Sequence, residues 1–342
     1  MSQGHKIPVA VINGTGYGGV ELLRLLAGHP TFEVAEVTAR AEAGKLVASV
    51  FPQLGDMRLS FTERVSEAKT VFVALPDPAA AEVIPGLLAE GRRVLDLSAA
   101  FRLRDAAEFA EWYGYPHPAP DLLRDATYGL VETAREALPQ ARLVACPGCY
   151  PTATLLAVLP ALRADLIEPD VIVDAKSGVS GAGRTLRLTS HFSEVNEDIT
   201  AYGVTGHRHW PEIMQCIHQE TGTTPRLTFT PHLVPMTRGI LATCYATLRP
   251  GVTAEQVTAA YHDAYADEPF VRVVNQPPHT KWTLGSNLCM VMPIIEPHSQ
   301  RLIVISALDN LVKGAAGQAI QSANIMHGLP EALGLPREGV YP

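Results

Sequence analysis

Ile7-Pro8-Val9-Ala10-Val11-Ile12-Asn13-Gly14-Thr15-Gly16-Tyr17-Gly18-Gly19-Val20-Glu21-Leu22-Leu23-Arg24-Leu25-Leu26 is the stretch whose reading decides the fold. A β-branched run, Ile7 to Ile12, stops at a glycine-rich turn, and from Val20 the apolar residues take up helical spacing. Strand, glycine turn and helix is the arrangement in which backbone N–H groups at a helix start can approach a pyrophosphate. Gly14, Gly16 and Gly19 fit the Gly-x-Gly-x-x-Gly spacing, so Gly14, Thr15, Gly16, Tyr17, Gly18 and Gly19 are candidate dinucleotide contacts. A tight turn without a ligand would use the same glycines; the place of this one, ahead of a helix at the chain start, favours the dinucleotide.

Outward from that turn, Glu33 to Thr38 reads as the next strand. An NAD-binding fold usually ends this strand with an acid for the ribose hydroxyls, but Arg40 stands here instead. An arginine suits the additional 2′-phosphate and favours NADP, the alternative being a solvated loop residue. Thr70 to Leu75 and Val94 to Leu97, with helical Ala79 to Glu90 between them, continue the alternation of a parallel, doubly wound α/β sheet. Leu75-Pro76 and Leu97-Ser98 end strands at the edge where ligands bind, which directs Pro76 and the stretch from Ser98 to Arg102 toward a ligand crevice. Arg102 offers the bidentate cation that an anionic substrate needs, or else caps the helix that follows. Leu103 to Leu138 reads only as an irregular, aromatic, proline-rich connection.

A second strand–turn–helix signal is Leu143-Val144-Ala145-Cys146-Pro147-Gly148-Cys149-Tyr150-Pro151-Thr152-Ala153. Pro151 suits a first helical turn, which puts Cys149 at a helix N-terminus, where the dipole and free N–H groups favour a thiolate. Cys149 is therefore the candidate nucleophile, against the plainer reading of a small buried apolar residue.

Beyond it, Val171 to Ala175 reads as a strand running into Lys176-Ser177-Gly178-Val179-Ser180-Gly181-Ala182-Gly183-Arg184, a loop able to bind phosphate or carboxylate, or an ordinary linker. Gly206-His207-Arg208-His209-Trp210-Pro211-Glu212 is a dense polar cluster. A His-x-His pair without a nearby third ligand is weak ground for zinc, and no metal is expected. A histidine moving a proton for Cys149 fits better, with His209 favoured over His207. The strand-like runs Leu227 to Val234, Ile240 to Leu248, Leu288 to Ile295 and Leu302 to Leu308 lack intervening long helices and predict an α+β second domain with a mixed, largely antiparallel sheet. Thr253 to Ala266 is expected as a surface helix, and Asp309 to Ile320 as a loop entering an Ala-rich helix.

With 342 residues, 47% of them hydrophobic, the chain can support two domains. A net charge of −8 without a basic cluster argues against nucleic acid as a partner. Five cysteines, no signal-peptide pattern and no apolar run of bilayer length point to a soluble protein of the cytoplasm, without membrane association.

Taken together these segments resemble the N-acetyl-gamma-glutamyl-phosphate reductases of arginine biosynthesis, relatives of aspartate-semialdehyde dehydrogenase. The resemblance runs through the first glycine turn, Leu97 to Arg102, Pro147 to Ala153, Ser177 to Arg184, His207 to Ile213, Phe229 to Met236 and Asp309 to Gly314. Asn13, Ala100 and Cys146 depart from the family pattern, which usually has glycine, aspartate and often asparagine there.

The resemblance implies a Rossmann-type NADP-binding domain over 1–148, a catalytic, substrate and oligomerisation domain over 149–312, and a helix near 313–330 that packs back on the first. It implies reductive dephosphorylation of an acyl phosphate through a Cys149 thioester, with His209 handling the proton and inorganic phosphate released. Ser180, Gly181 and Asn310 would then join the cofactor contacts, and Arg102, Ser177, Arg184, Glu194 and His207 the substrate contacts. A homodimer or homotetramer is the implied assembly. Three other readings stay open on sequence: a reductase of the same chemistry for aspartyl phosphate or an aminoadipyl-carrier phosphate, a Cys146-x-x-Cys149 redox sensor, and a Cys–His hydrolase.

Overall fold

The computed structural model describes residues 6–341. These form two compact units, one running up to Pro147 and including Ala315–Leu335, the other formed by Gly148–Gly314 and the chain from Pro336 onward. Lys313 and Gly314 thus belong with the second unit, and the C-terminal residues return to it. Among the described residues no helix is long and apolar enough to cross a membrane.

The first unit is built on seven strands, β1 (Ile7–Ile12), β2 (Phe32–Thr38), β3 (Phe61–Thr62), β4 (Thr70–Val73), β5 (Arg93–Asp96), β6 (Thr127–Tyr128) and β7 (Leu143–Ala145). Their order is β3-β2-β1-β4-β5-β7-β6, and every pairing is parallel. A parallel sheet is covered on both faces, which is why β4 and β7 are buried at every position and read as plain apolar runs rather than alternating ones. The chain leaves β1 through helix Tyr17–Ala27 toward β2, and β4 lies on the other flank of β1. The carboxyl ends of β1 and β4 therefore mark the point where strand order reverses, the place where such sheets bind ligands. Asn13 lies there in the left-handed region (φ 64°), and its Nδ2 donates to the Ala74 carbonyl at 2.7 Å, tying the two strand ends together.

Helix Gly317–Met326 completes this unit: Gln318 Nε2 donates to the Gly129 carbonyl at 3.1 Å and Arg93 Nη1 to the Met326 carbonyl at 2.5 Å. The stretch that reads as an irregular connection contains helix Ala106–Tyr113. Asp105 caps it by accepting the N–H groups of Ala107 and Glu108, and buried Phe109 stacks on Tyr113 at 4.5 Å. The helix is short and its one buried anchor is supplied by tertiary packing, so periodicity alone does not reveal it.

The second unit carries β8 (Ile167–Gly178), β9 (Thr200–Ala201), β10 (Arg226–Val234), β11 (Ile240–Leu248), β12 (Val271–Val273), β13 (Cys289–Glu296) and β14 (Arg301–Leu308) in the order β12-β13-β14-β11-β8-β10-β9. The β8–β10 and β12–β13 pairs are parallel and the others antiparallel. In β11 the buried Ile240, Ala242, Cys244 and Ala246 alternate with half-buried residues, the mark of a sheet covered on one face.

Helix Cys149–Arg163 packs in this unit and is buried along nearly its whole length. Pro160 inside it has no N–H for the Leu156 carbonyl four residues earlier. Tyr265 supplies the missing donor, its hydroxyl reaching the Leu156 carbonyl at 2.5 Å, while Tyr261 donates to the Ala157 carbonyl at 2.6 Å and Ser306 to the Ala153 carbonyl at 2.8 Å. Without the Tyr265 hydroxyl the buried Leu156 carbonyl would lack a partner, at a cost of ~1–3 kcal/mol. The helix that bears Cys149 is thus held rigidly by its surroundings.

Candidate active site

Cys149 is the first residue of its helix, and the N-cap Gly148 is extended (ψ 157°) with no side-chain cap. The Gly148 N–H instead donates to Oε1 of Glu212 at 2.7 Å. Glu212 belongs to helix His209–Thr221 and is fully buried. A buried carboxylate is costly unless it is hydrogen-bonded, so this contact anchors the one helix start against the other. From the opposite direction comes the Asp309–Gly314 segment. A Cβ at Gly314 would fall 2.7 Å from the Cβ of Cys149, so only glycine lets that backbone lie against the thiol-bearing residue.

The same segment organises the glycine loop after β8. Asn310 accepts the Gly239 N–H at 2.8 Å and donates through Nδ2 to Ser180 Oγ at 3.0 Å. A Cβ at Gly181 would meet Ser177 Oγ at 2.9 Å. The structure therefore brings Ser177, Ser180, Gly181 and Asn310 together, as the sequence motifs suggest. Arg184 and Glu194 are exposed.

The histidines gather around Tyr150, the residue after the cysteine. The His207 and His209 rings lie 5.7 and 5.9 Å from the Tyr150 ring and 4.8 Å from each other. Tyr202 donates its hydroxyl to Tyr150 Oη at 3.2 Å, and Tyr150 donates to the His232 carbonyl at 3.1 Å. His207 Nδ1 accepts the His209 N–H at 3.1 Å. Burial, and secondarily the Arg208 charge, push His207 down to about 4, so it is neutral at physiological pH.

In the first unit the glycine turn is locked by close approach. Cβ atoms at Gly14 and Gly19 would lie 2.4 Å from Val37 Cγ2 and 2.2 Å from the Asn13 carbonyl oxygen. Gly16 is the N-cap of helix Tyr17–Ala27 and has no side-chain cap, while Thr15, Tyr17 and Gly18 are partly or fully exposed. A turn that excludes side chains and leads into an uncapped helix start suits a dinucleotide pyrophosphate. Arg40 is exposed just past β2, and Pro76 is the exposed N-cap of helix Asp77–Ala89.

Ser98 and Arg102 are bound inward. Ser98 donates its N–H and hydroxyl to the two oxygens of Asp96, which burial pushes up to about 6 against those bonds. Arg102 is buried, with Nε donating to the Cys146 carbonyl at 2.8 Å and Nη2 to the Leu97 carbonyl at 3.0 Å. It braces the carboxyl ends of β5 and β7. Cys146 is buried too, and burial together with the Asp96 carboxyl raises its thiol far above the ordinary range.

Glu212 and Gly314 lie within quoted motifs, and Tyr202 in none, but the sequence assigns no role to any of the three. Glu212 carries one signal, a charge beside the apolar Ile213, Cys216 and Ile217 on a helix. The contacts of Gly314 and Tyr202 have no local signal, because their partners lie far away in the chain.

Residues 8–141 match the family described as semialdehyde dehydrogenase, NAD binding domain, and residues 149–310 the one described as semialdehyde dehydrogenase, dimerisation domain. These two matches define the class: an oxidoreductase with a nicotinamide dinucleotide site and a thiol at a helix start. A structure described as that of a probable aspartate-semialdehyde dehydrogenase from Pseudomonas aeruginosa shares the fold, with a TM-score of 0.70 at 19% identity over 95% of this chain and 100% of the other. N-acetyl-gamma-glutamyl-phosphate reductase from Dehalococcoides mccartyi is 50% identical over 98% of this chain and 99% of its own, and that from Pseudomonas entomophila 49% over 98% and 100%. The chain belongs to the N-acetyl-gamma-glutamyl-phosphate reductase family.

Proposed function

We propose that this protein reduces N-acetyl-gamma-glutamyl phosphate to N-acetylglutamate 5-semialdehyde with NADPH, a step of arginine biosynthesis in the cytoplasm, as a homodimer or homotetramer. The near-complete alignment with reductases of that name at 50% identity carries the reading. The placement of Cys149 at a rigid helix start supports it.

In the second unit, the Cys149 sulfur attacks the acyl phosphate carbon and the carbon–oxygen bond to phosphate breaks, releasing inorganic phosphate and leaving a thioester on the enzyme. The N-terminal dipole of the Cys149 helix favours the thiolate needed for that attack. When bound, the reduced nicotinamide supplies the hydride that takes the thioester to a thiohemiacetal. His209 delivers the proton to the developing oxygen and withdraws it as the thiohemiacetal collapses to aldehyde and thiolate. His207, neutral and accepting the His209 N–H through Nδ1, is a substrate contact rather than the proton carrier. Ser177, Arg184 and Glu194 are further proposed substrate contacts, and Ser180, Gly181 and Asn310 cofactor contacts. In the first unit, residues 14–19 hold the pyrophosphate, Arg40 the 2′-phosphate, and Pro76 and Ser98 flank the cofactor. Arg102, anchored by two carbonyls, provides positive charge for the substrate anion.

The test is phosphate- or arsenate-dependent reduction of NADP by the purified protein with N-acetylglutamate semialdehyde, beside Cys149→Ser and with aspartate semialdehyde as competitor. Turnover of the acetylated aldehyde should fall by about 10³-fold or more in Cys149→Ser, because a serine hydroxyl is a far weaker nucleophile at its free pKa. Turnover of aspartate semialdehyde alone would move the substrate assignment.

A further inference from the structure

Asp96 closes β5 and is fully buried, a costly place for a carboxyl group unless it serves several donors. Its Oδ1 accepts the Ser98 N–H at 2.9 Å and its Oδ2 the Ser98 hydroxyl at 2.9 Å. The Ser98 oxygen in turn accepts the Ala100 N–H at 3.1 Å. Between these two, the Ala99 N–H goes to Oδ1 of Asp77, the first residue of helix Asp77–Ala89, at 2.9 Å. Three successive amides of the turn after β5 are thus spent on side-chain oxygens of the protein itself. Such a run of amides could otherwise cradle an anion, so at this turn the charge for an anion has to come from a side chain.

Arg102 is the cation there, and both of its anchors lead back to Asp96. Nη2 donates to the carbonyl of Leu97, the residue after Asp96, and Nε to the carbonyl of Cys146, whose own N–H donates to the Asp96 carbonyl at 2.8 Å. We propose that Asp96 is a positioning residue: by winding the turn from Leu97 to Arg102 and pinning the end of β7, it sets the guanidinium that receives the substrate anion, a role that rests on the anion contact proposed above for Arg102.

The groups that face the Asp96 carboxyl are Ser98 and Arg102 on the turn, Asp77 on the neighbouring helix and Cys146 at the end of β7. Burial foremost, with the Asp77 charge acting in the same sense, lifts the carboxyl to about 6, while the Ser98 bonds and the Arg102 charge oppose that rise. Above that pH the carboxylate accepts both Ser98 donors and attracts the guanidinium. Below it the added proton occupies one acceptor position and removes the attraction, so anion binding weakens as pH falls.

Steady-state kinetics of the full chain in the aldehyde-oxidising direction test this, with Asp96→Asn, Asp96→Ala and Ser98→Ala beside the parent. The KM values for the acetylated aldehyde, phosphate and NADP are measured separately between about pH 5 and pH 8. At neutral pH Asp96→Ala should raise the KM of one anion, the aldehyde with its carboxylate or the phosphate, by about tenfold or more. Asp96→Asn keeps an acceptor for the Ser98 N–H and should raise it less, and Ser98→Ala, which removes only the hydroxyl link, least. The kcat and the KM for NADP should stay within about threefold of the parent, since residues 14–19 hold the pyrophosphate. In the parent the affected KM should rise as pH drops through about 6, and in Asp96→Asn that rise should be gone. Titration of phosphate itself is common to both and cancels in the comparison. Where Asp96→Ala fails to melt cooperatively, the two milder variants decide. Equal losses in kcat and all three KM values, unchanged KM values, a parent KM that is flat through pH 6, or a parent-like pH profile in Asp96→Asn would overturn the proposal. A parent that turns over only aspartate semialdehyde overturns the proposed substrate, and the same split read with that aldehyde still decides Asp96. A parent inactive with both aldehydes removes the proposed reaction and this role together.

Discussion

Two strand–turn–helix junctions of this protein have nearly the same backbone and different chemistry. At the first, β1 passes through Gly16 (φ −71°, ψ 160°) into helix Tyr17–Ala27, and at the second, β7 passes through Gly148 (φ −68°, ψ 157°) into helix Cys149–Arg163. Neither N-cap has a side-chain cap. In the first junction the neighbours are backbone and aliphatic groups that compress the turn, the Asn13 carbonyl and Val37. In the second, the Glu212 carboxylate takes the cap N–H and Gly314 presses on Cys149. On the proposed function, one local geometry would serve an anion site in one place and hold a nucleophile in the other. What differs is the groups that the tertiary fold brings to the helix start.

That contrast can be broken from either side, and the largest effect is expected at the first turn. Gly19→Ala drives a methyl into the Asn13 carbonyl, which should cost about 3 kcal/mol or more of stability and remove dinucleotide binding, measured by thermal melts and NADPH titration. Gly314→Ala is the matching change at the second turn: it should displace Cys149 and lower kcat by about 10²-fold with dinucleotide affinity unchanged, read from steady-state kinetics. Glu212→Ala leaves the buried Gly148 N–H without its acceptor and should cost ~1–3 kcal/mol, whereas Glu212→Gln keeps an acceptor oxygen and should recover most of the loss, by denaturant titration.

The pH dependence sharpens the second junction further. His207 titrates near 4 in the fold against 6.5 in the unfolded chain, so below about 6.5 the unfolded chain binds a proton that the folded one does not. Stability should fall as pH drops from 6.5 toward 4. His207→Gln should flatten part of that fall in melts across the range, the remainder coming from His29, His117 and His327, which burial also lowers. The smallest effect belongs to Asn13→Gly. It relieves a left-handed φ and deletes the bond to the Ala74 carbonyl, two opposed changes that should leave stability within about 1 kcal/mol of the parent.

Much of the architecture is legible in the chain because its signals are local. The fully buried Thr70–Val73, apolar from Val71 onward, announces a strand covered on both faces, the alternation in Ile240–Leu248 one covered on a single face, and the two glycine turns announce helix starts. The grouping of Asn310 with Ser180 and Gly181 came only from the family resemblance, and the structure places Asn310 Nδ2 on Ser180 Oγ. Arg102 shows where such reading thins out. Its charge and strand-end position suggest a ligand, yet its guanidinium is engaged with two backbone carbonyls whose partnership no pattern encodes.

Periodicity, turn chemistry and the placing of Cys149 at a helix start follow from the sequence by itself, since each depends on residues a few positions apart. The acceptor for the Gly148 amide, the close approach of Gly314, the neutral His207 and the Tyr265 hydroxyl that compensates for Pro160 were decided only by the tertiary structure. Each depends on burial and on a partner tens to more than a hundred residues away, and burial is a property of the packed whole rather than of any segment.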